Sequence, residues 1–245
     1  MPTLRAVKRF LLIAAVLQTC AGYAVAQESA YADLDACTKN EQFKLTAKGA
    51  VVGALAGFGG ALFSGNRDKA GKAALAGAVG GGAIGFATAY YTAIDTCKKL
   101  NPSWMTESNL MRDPSKSYAQ VTKENRYFAK DGITLRLHEM QMASETRPGG
   151  NVAIDTTYDV MTPDGAETPV VFSRKLYVVA DGAEKLVPFP LAASSTRTVE
   201  AGRNKESMTL PISAETKAGT VYRVELSAAA GDKSPVTMSK SVTVI

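Results

Sequence analysis

The sequence predicts an α+β protein whose helices and strands are segregated into an N-terminal antiparallel helical hairpin and a C-terminal all-β sandwich. Two patterns predict this fold class. Small residues recur at every fourth position between residues 49 and 89, and a step of four returns to nearly the same side of an α-helix. Beyond residue 128, apolar and polar residues alternate instead, which is typical of half-buried strands. The 245 residues are enough for one large domain or two modest ones.

Residues 1–26 have the composition of a cleaved secretory signal peptide. Three basic residues precede the apolar run FLLIAAVL, and the small-residue sequence AVA ends at Ala26. The apolar run is shorter than the about 20 residues that span a bilayer, which disfavours an uncleaved anchor. Residues 17–19 are a poor match to the small residues that precede a lipidated cysteine, which disfavours lipidation of Cys20. We therefore predict an exported protein of the cell envelope, periplasmic and associated with either the inner or the outer membrane.

Cleavage also changes the charge and the cysteine count. The signal carries three basic and no acidic residues, so its removal lowers the net charge from +5 to +2. A balance this close to neutral gives nucleic-acid binding little support, and we predict no nucleic-acid partner. Cleavage leaves Cys37 and Cys97 as an even pair in an oxidising compartment. The two cysteines are therefore predicted to form a disulfide.

Two ladders of small residues predict closely packed helices. Glycine inside a helix costs about 1 kcal/mol relative to alanine, so repeated glycines in one register need a compensating contact. Close approach of two helix backbones supplies that contact, as in small-xxx-small pairs. The ladders assign eight residues to helix packing: Gly49, Gly53, Gly57, Ala61, Ala73, Gly77, Gly81 and Gly85.

One antiparallel register aligns these features. If the chain reverses about Arg67, the two ladders face each other, and the same register brings Cys37 level with Cys97. It also brings two pairs of opposite charges level, Lys39 with Asp95 and Asp35 with Lys99. We therefore predict a disulfide-clamped helical hairpin over residues 33–100.

The location of this hairpin has three interpretations. The charge-free stretches 49–66 and 73–94 have the length of about 17–25 residues that spans a bilayer as a transmembrane helix. Tyr90 and Tyr91 would then lie at a membrane interface. The abundance of glycine and alanine reduces the gain from leaving water, which favours a self-associating helical bundle in water. A flexible linker is the third interpretation.

The segments GAVVGALAG and GAVGGGAIG resemble the glycine-zipper proteins of the Gram-negative cell envelope. The resemblance implies contact with membrane lipid and a homo-oligomer. It implies no substrate and no catalytic residue.

Residues 101–128 are predicted to be a partly helical connector, and residues 129–245 a β-sandwich. Alternation is clearest in NVAIDTTYDVM, SMTLPIS and TVYRVELS, and six glycine-containing turn signals separate the apolar runs. The stretch AGTVYRVEL resembles the corner strand of immunoglobulin-like domains, with Tyr222 in the position of the corner tyrosine. That resemblance implies an immunoglobulin-like sandwich.

No catalytic, cofactor or metal site is predicted. The single histidine, His138, is interpreted as a solvent-side strand residue. Asp155 and Asp159 share a strand face, but the strand rise separates them by about 13 Å. The single tryptophan, Trp104, either anchors at a membrane interface or caps the sandwich.

These observations predict a non-enzymatic cell-envelope protein. Its glycine-zipper hairpin would insert in or pack on a membrane and oligomerise, while the periplasmic β-sandwich would bind an unknown envelope protein. Two alternatives remain open at this stage. One is a secreted pore-forming toxin or effector, and the other is a soluble periplasmic binding or chaperone module.

Overall fold

The computed structural model of the protein describes residues 34–46, 82–180 and 182–245. Within these ranges the chain forms three α-helices, two short 3-10 helices and ten strands. The helices are α1 (residues 34–46), α2 (Gly82–Leu100) and α3 (Tyr118–Asn125), with the 3-10 helices η1 (Pro102–Trp104) and η2 (Ala129–Asp131). The strands are β1 (Asn109–Arg112), β2 (Thr134–Met142), β3 (Glu145–Thr146), β4 (Asn151–Met161), β5 (Thr168–Ala180), β6 (Ala183–Val187), β7 (Ser194–Val199), β8 (Gly202–Pro211), β9 (Val221–Ala230) and β10 (Val236–Val244).

The strands form two sheets that enclose a common core. Sheet A has the order β1-β8-β4-β2, and sheet B has the order β3-β10-β9-β5-β6, with β7 also paired to β5. Neighbouring strands are antiparallel except for the short parallel pair of β3 and β10. Ile154 and Leu210 from sheet A and Leu176 and Tyr222 from sheet B belong to one buried cluster. The described residues therefore form a β-sandwich.

The sequence alternation corresponds to the burial of the strands. In β4, β8 and β9, the apolar positions point into the sandwich and are buried. The predicted turn glycines also have the backbone conformation that favours glycine: Gly149, Gly165, Gly182, Gly202, Gly219 and Gly231 all have positive φ. At Gly202 a Cβ would lie 2.5 Å from the Arg112 guanidinium, so a side chain there would require Arg112 to move.

The predicted segregation of helices and strands into separate units is wrong. The structure is dominated by the two sheets, and α2 packs into the sandwich core through Ala87, Tyr91 and Ile94. The Tyr91 hydroxyl donates a hydrogen bond to the Pro211 carbonyl at 2.8 Å. Its ring also lies edge-on to Tyr222, with centroids 5.9 Å apart. The helices are therefore not a distinct N-terminal hairpin.

A second helical periodicity explains why α2 packs on the sandwich and not in a separate hairpin. Ala87, Tyr91, Ile94 and Lys98 are spaced by four, three and four residues, and all four are buried. This spacing places them on one face of α2. Burial of a tyrosine and an isoleucine gains far more free energy than contact at a glycine. The larger apolar face therefore determines where α2 packs.

The structure contains the disulfide between Cys37 and Cys97, which joins α1 to α2. The predicted ion pairs between the two helices are wrong. Lys39 instead pairs with Asp35, and Lys99 with Asp95, each at 2.7 Å and each within its own helix. Charges four residues apart on a helix are already neighbours, so these pairs need no second helix.

Most of the predicted helix-packing ladder lies outside the described residues. Gly49, Gly53, Gly57, Ala61, Ala73, Gly77 and Gly81 are in this group. Gly85 lies in α2, and a Cβ built there would meet no atom of the described residues within 4 Å. Tyr91, expected at a membrane interface, is fully buried in the core. In residues 34–46 and 82–245, apart from residue 181, no helix has both the length and the apolar character needed to cross a membrane.

The segment expected to be a connector contributes directly to the sandwich. Strand β1 pairs with β8 at the edge of sheet A. Helix α3 begins at Tyr118 after a capping box between Ser117 and Gln120. The Tyr118 hydroxyl donates to the carbonyl of Thr162 at the end of β4, which fixes α3 against sheet A.

Candidate functional site

A cleft of about 500 Å³ lies between the two disulfide-linked helices and the sandwich. Its walls come from α1, α2, the segment around η1, the edge of sheet A and the loop after β6. The lining residues are Leu34, Asp35, Thr38, Tyr90, Ile94, Lys98, Trp104, Thr106, Glu107, Asn109, Asn151, Pro190, Leu191, Ser207, Met208, Thr209 and Pro211. This volume is within the range of about 300–1,000 Å³ that ligand pockets occupy.

Helix α1 forms one wall and is held in place by the disulfide. Cys37 lies directly between residues that line the cleft, and its partner Cys97 is fully buried on α2. Thr38 is only 3% exposed, and its hydroxyl has no hydrogen-bond partner among the residues that the structure describes. Within the same residues, the buried amide nitrogen of Gln42, one turn further along α1, also has none. This face of α1 therefore retains hydrogen-bonding capacity beside the cleft.

The second wall comes from α2 and carries Tyr90 and Lys98. The Lys98 ammonium donates a hydrogen bond to the Pro190 carbonyl, and burial lowers the pKa of this lysine. Burial, assisted by the charge of Asp35, raises the pKa of Tyr90 to about 12. Tyr90 therefore keeps its proton at neutral pH and remains a hydrogen-bond donor.

The third wall contains the single tryptophan. Helix η1 begins after Asn101, whose side-chain oxygen accepts a hydrogen bond from the Ser103 amide at 3.2 Å. The Met105 amide closes the turn by donating to the Pro102 carbonyl at 3.0 Å. This short, capped turn places Trp104 in the cleft wall.

The cleft wall combines apolar surface with neutral hydrogen-bonding groups and few free charges. Asp35 is paired with Lys39, and Lys98 is bound to a backbone carbonyl. Within the described ranges, no three His, Cys, Asp or Glu side chains converge as a metal ion would require. The arrangement is suited to binding a ligand.

A second polar cluster lies where α3 covers sheet A, and it includes two residues considered from the sequence. Asp159 is fully buried and accepts hydrogen bonds from Arg203 Nε at 2.8 Å, Asn125 Nδ2 at 2.6 Å and His138 Nε2 at 2.5 Å. The register of β2 against β4 shifts between Leu137 and Glu139, so His138 is an inserted bulge residue. Bulges re-aim side chains, and His138 therefore pairs with Asp159. We call these four residues the Asp159 cluster.

Because of the Asp159 cluster, we expect the free energy of unfolding to depend on pH. Burial opposes the charged form of Asp159, but the hydrogen bonds from Arg203, His138 and Asn125 outweigh it and lower its pKa. A carboxylate with a lowered folded-state pKa stabilises the protein above the ordinary Asp pKa of about 3.9, and this contribution is lost as the pH falls through the lowered value. We expect Asp159→Asn to lose about 2–3 kcal/mol at pH 7 and less at pH 3, which lies below the ordinary Asp pKa.

Urea unfolding of both proteins at the two pH values measures this difference. Asp155→Asn is the matched control, because Asp155 lies on the same strand but is exposed. It should change the free energy of unfolding by less than about 1 kcal/mol. A loss at Asp159 that is the same at pH 3 and pH 7 would contradict the assigned role of its charge.

The sequence predicted none of the cleft residues as a site. Trp104 was noticed, but its two expected positions did not include a cleft wall. Thr38 and Lys98 carried no signal, because a threonine or lysine on a helix is usually solvent-exposed. The predicted disulfide correctly indicated that α1 and α2 are neighbours.

Comparisons with known proteins reveal only remote likenesses. No protein-family model matches the chain, and no curated protein matches it. Among solved structures, a CARDB domain from Pyrococcus furiosus in complex with di-metal ions is similar over 47% of this chain and 90% of that chain, with 11% identity and a TM-score of 0.32. A β-glucosidase from Listeria innocua is similar over 46% of this chain and 16% of that chain, with 14% identity and a TM-score of 0.31.

The alkylpurine DNA glycosylase of Pseudomonas fluorescens, bound to DNA containing an abasic site analog, is similar over 73% of this chain and 52% of that chain. Its identity is 11% and its TM-score 0.32. Likenesses at these scores carry no argument about the function of this chain.

Proposed function

We propose that the protein is an exported, non-enzymatic binding protein of the cell envelope. The observation that carries the proposal is the cleft of about 500 Å³ between the disulfide-linked helices and the sandwich. The disulfide supports export, because such bonds persist in oxidising compartments. Two of the three charged residues that line the cleft, Asp35 and Lys98, are engaged by the protein itself, which supports binding rather than catalysis.

The glycine-rich segment would hold the sandwich and its cleft at the membrane or against other copies of the chain. Because α2 packs on the sandwich, residues 47–81 are the part of the repeat that remains for this role. They are fewer than the about 40 residues that two bilayer-spanning helices require. We therefore propose that the segment packs on membrane lipid or on a second copy, rather than crossing the bilayer twice.

Cell fractionation with matched variants tests this proposal. The wild-type protein should sediment with envelope membranes at neutral pH and be released by a high-pH carbonate wash, as peripheral proteins are. The double variant Gly53→Leu/Gly57→Leu should reduce sedimentation several-fold, because large side chains block close packing. The double variant Gly53→Ala/Gly57→Ala is the control and should behave like the wild type.

Three outcomes would overturn parts of the proposal. Retention of the protein in the cytoplasm with reduced cysteines would exclude export. Accumulation in the culture medium would favour a secreted effector. Recovery of all the wild-type protein in the soluble periplasmic fraction would favour the soluble binding module, which the cleft also supports.

A further inference from the structure

We propose that the cleft binds a neutral saccharide, with Trp104 and the α1 face around Thr38 as its recognition surfaces. This inference rests on the proposed binding function and specifies the chemical class of the ligand. A sugar presents hydroxyl groups that both donate and accept hydrogen bonds, together with a C–H face that packs on aromatic rings. The cleft matches each of these properties.

The aromatic surface comes from two walls. Trp104 lines the cleft from η1, and Tyr90 lines it from α2. Aromatic rings have an electron-rich face and provide large apolar contact area with few rotatable bonds. The C–H face of a sugar is favoured beside such rings because its hydrogens are partially positive.

The hydrogen-bonding surface is mostly neutral. Asn109 at the start of β1 and Asn151 at the start of β4 line the cleft, and both are exposed. An amide side chain offers two donors and one acceptor, and can therefore pair with neighbouring sugar hydroxyls. Thr209 and Thr106 add hydroxyl groups to the same lining. These groups suit a ligand that donates and accepts at many positions.

Thr38 provides the observation that points most directly to a ligand. Thr38 lines the cleft and is only 3% exposed, and its buried hydroxyl oxygen has no hydrogen-bond partner among the described residues. Leaving a buried polar group without a partner is destabilising. A ligand hydroxyl that reaches this oxygen would satisfy it and remove that cost. An apolar ligand would leave it unpaired.

The charges of the cleft disfavour an ionic ligand. The lining carries one cationic group, the Lys98 ammonium, which also donates a hydrogen bond to the Pro190 carbonyl, and two carboxylates. Asp35 and Glu107 would repel an anion. Asp35 is itself paired with Lys39, which weakens its attraction for a cation. A neutral, polyhydroxylated molecule fits these conditions better than a charged one.

The single tryptophan makes the inference directly measurable. Because Trp104 is the only tryptophan in the chain, its emission reports on the cleft without labelling. The oxidised, signal-free protein would be titrated separately with chitotriose, maltotriose and cellotriose, with calorimetry as a second measurement. We expect at least one trisaccharide to shift Trp104 emission saturably, with a dissociation constant in the millimolar range or below.

Variants then locate the binding site. Thr38→Val retains the shape of the side chain but removes its hydroxyl, and we expect it to weaken binding about tenfold. Asn151→Ala should weaken binding several-fold. Met105→Ala is the control, because Met105 is 49% exposed next to Trp104 but does not line the cleft. It should leave the affinity unchanged, and thermal unfolding would verify that all variants remain folded.

The outcomes separate this inference from the proposed function. If no trisaccharide changes Trp104 emission or releases heat at millimolar concentration, the saccharide inference is overturned even when fractionation supports an envelope protein. Saccharide binding that is unaffected in folded Thr38→Val and Asn151→Ala proteins would place the ligand elsewhere and also overturn it. Saccharide binding by a protein found in the cytoplasm would retain the ligand class and overturn the envelope role.

Discussion

Replacing Glu206 with leucine is expected to lower the free energy of unfolding by about 3–5 kcal/mol, because it leaves Arg174 charged and unpaired inside the sandwich. Arg174 on β5 of sheet B and Glu206 on β8 of sheet A form an ion pair whose side chains are 3% and 4% exposed. The guanidinium also donates to the hydroxyls of Ser108 and Ser195, each at 3.2 Å. The pair therefore links the two sheets within a buried polar network.

The double variant Arg174→Met/Glu206→Leu separates the cost of an unpaired charge from the value of the pair. Buried ion pairs replaced by apolar residues of similar volume are often neutral in stability, so we expect most of the single-variant loss to be recovered. Urea unfolding measures all three proteins. A double variant as unstable as Glu206→Leu alone would show that the loss comes from packing rather than from the unpaired arginine.

A neighbouring surface pair provides a matched control. Lys175 follows Arg174 on β5 but points outward, and it pairs with Glu225 at 2.9 Å with side-chain exposures of 46% and 20%. Exposed pairs typically contribute less than about 1 kcal/mol. We therefore expect Lys175→Met to have a small effect, which would attribute the Glu206 result to burial rather than to ion pairing in general.

Removing the disulfide with Cys37→Ala/Cys97→Ala is expected to cost about 4 kcal/mol. The bond joins residues separated by 60 positions, and closing a loop of this length reduces the entropy of the unfolded chain by roughly that free energy. It also connects α1 to the buried face of α2, so its loss should release the wall that carries Thr38. We expect lower stability together with a disrupted cleft.

Two measurements distinguish these effects. Urea unfolding of the oxidised wild type and the double alanine variant gives the change in stability, and reductant should destabilise only the wild type. Hydrogen exchange then reports on α1: its amides should lose protection in the variant, while β4 amides in the sandwich core should retain theirs. Equal protection of α1 in both proteins would show that packing alone holds this wall.

Much of the β half of the protein could be predicted from its amino-acid sequence. Alternation predicted which side chains are buried in β9 and over residues 151–158 of β4, because successive strand residues point to opposite faces. It did not predict the burial of Asp159 near the end of β4. The turn glycines were equally readable, since only glycine adopts positive φ readily. The disulfide was predicted from the even pair of cysteines that follows the predicted signal peptide. Each of these features depends on local backbone geometry or on the number of cysteines.

The packing of the helices and the position of the cleft depend on contacts between distant parts of the chain. Helix α2 carries both a small-residue ladder and an apolar face with Tyr91 and Ile94. The sequence alone does not show which of these two faces packs against the rest of the protein. The choice between them depends on the apolar surface of the sandwich. That surface is formed by strands more than 100 residues later in the chain, such as β9 around Tyr222.

The Asp159 cluster and the cleft were not predictable from the sequence for the same reason. Asp159 meets His138 only through a bulge in β2, and the cleft joins Thr38, Trp104 and Asn151 from segments that are distant in the chain. Periodicity reports which face of an element is apolar. It does not report which distant element covers that face, because that depends on packing across the whole fold.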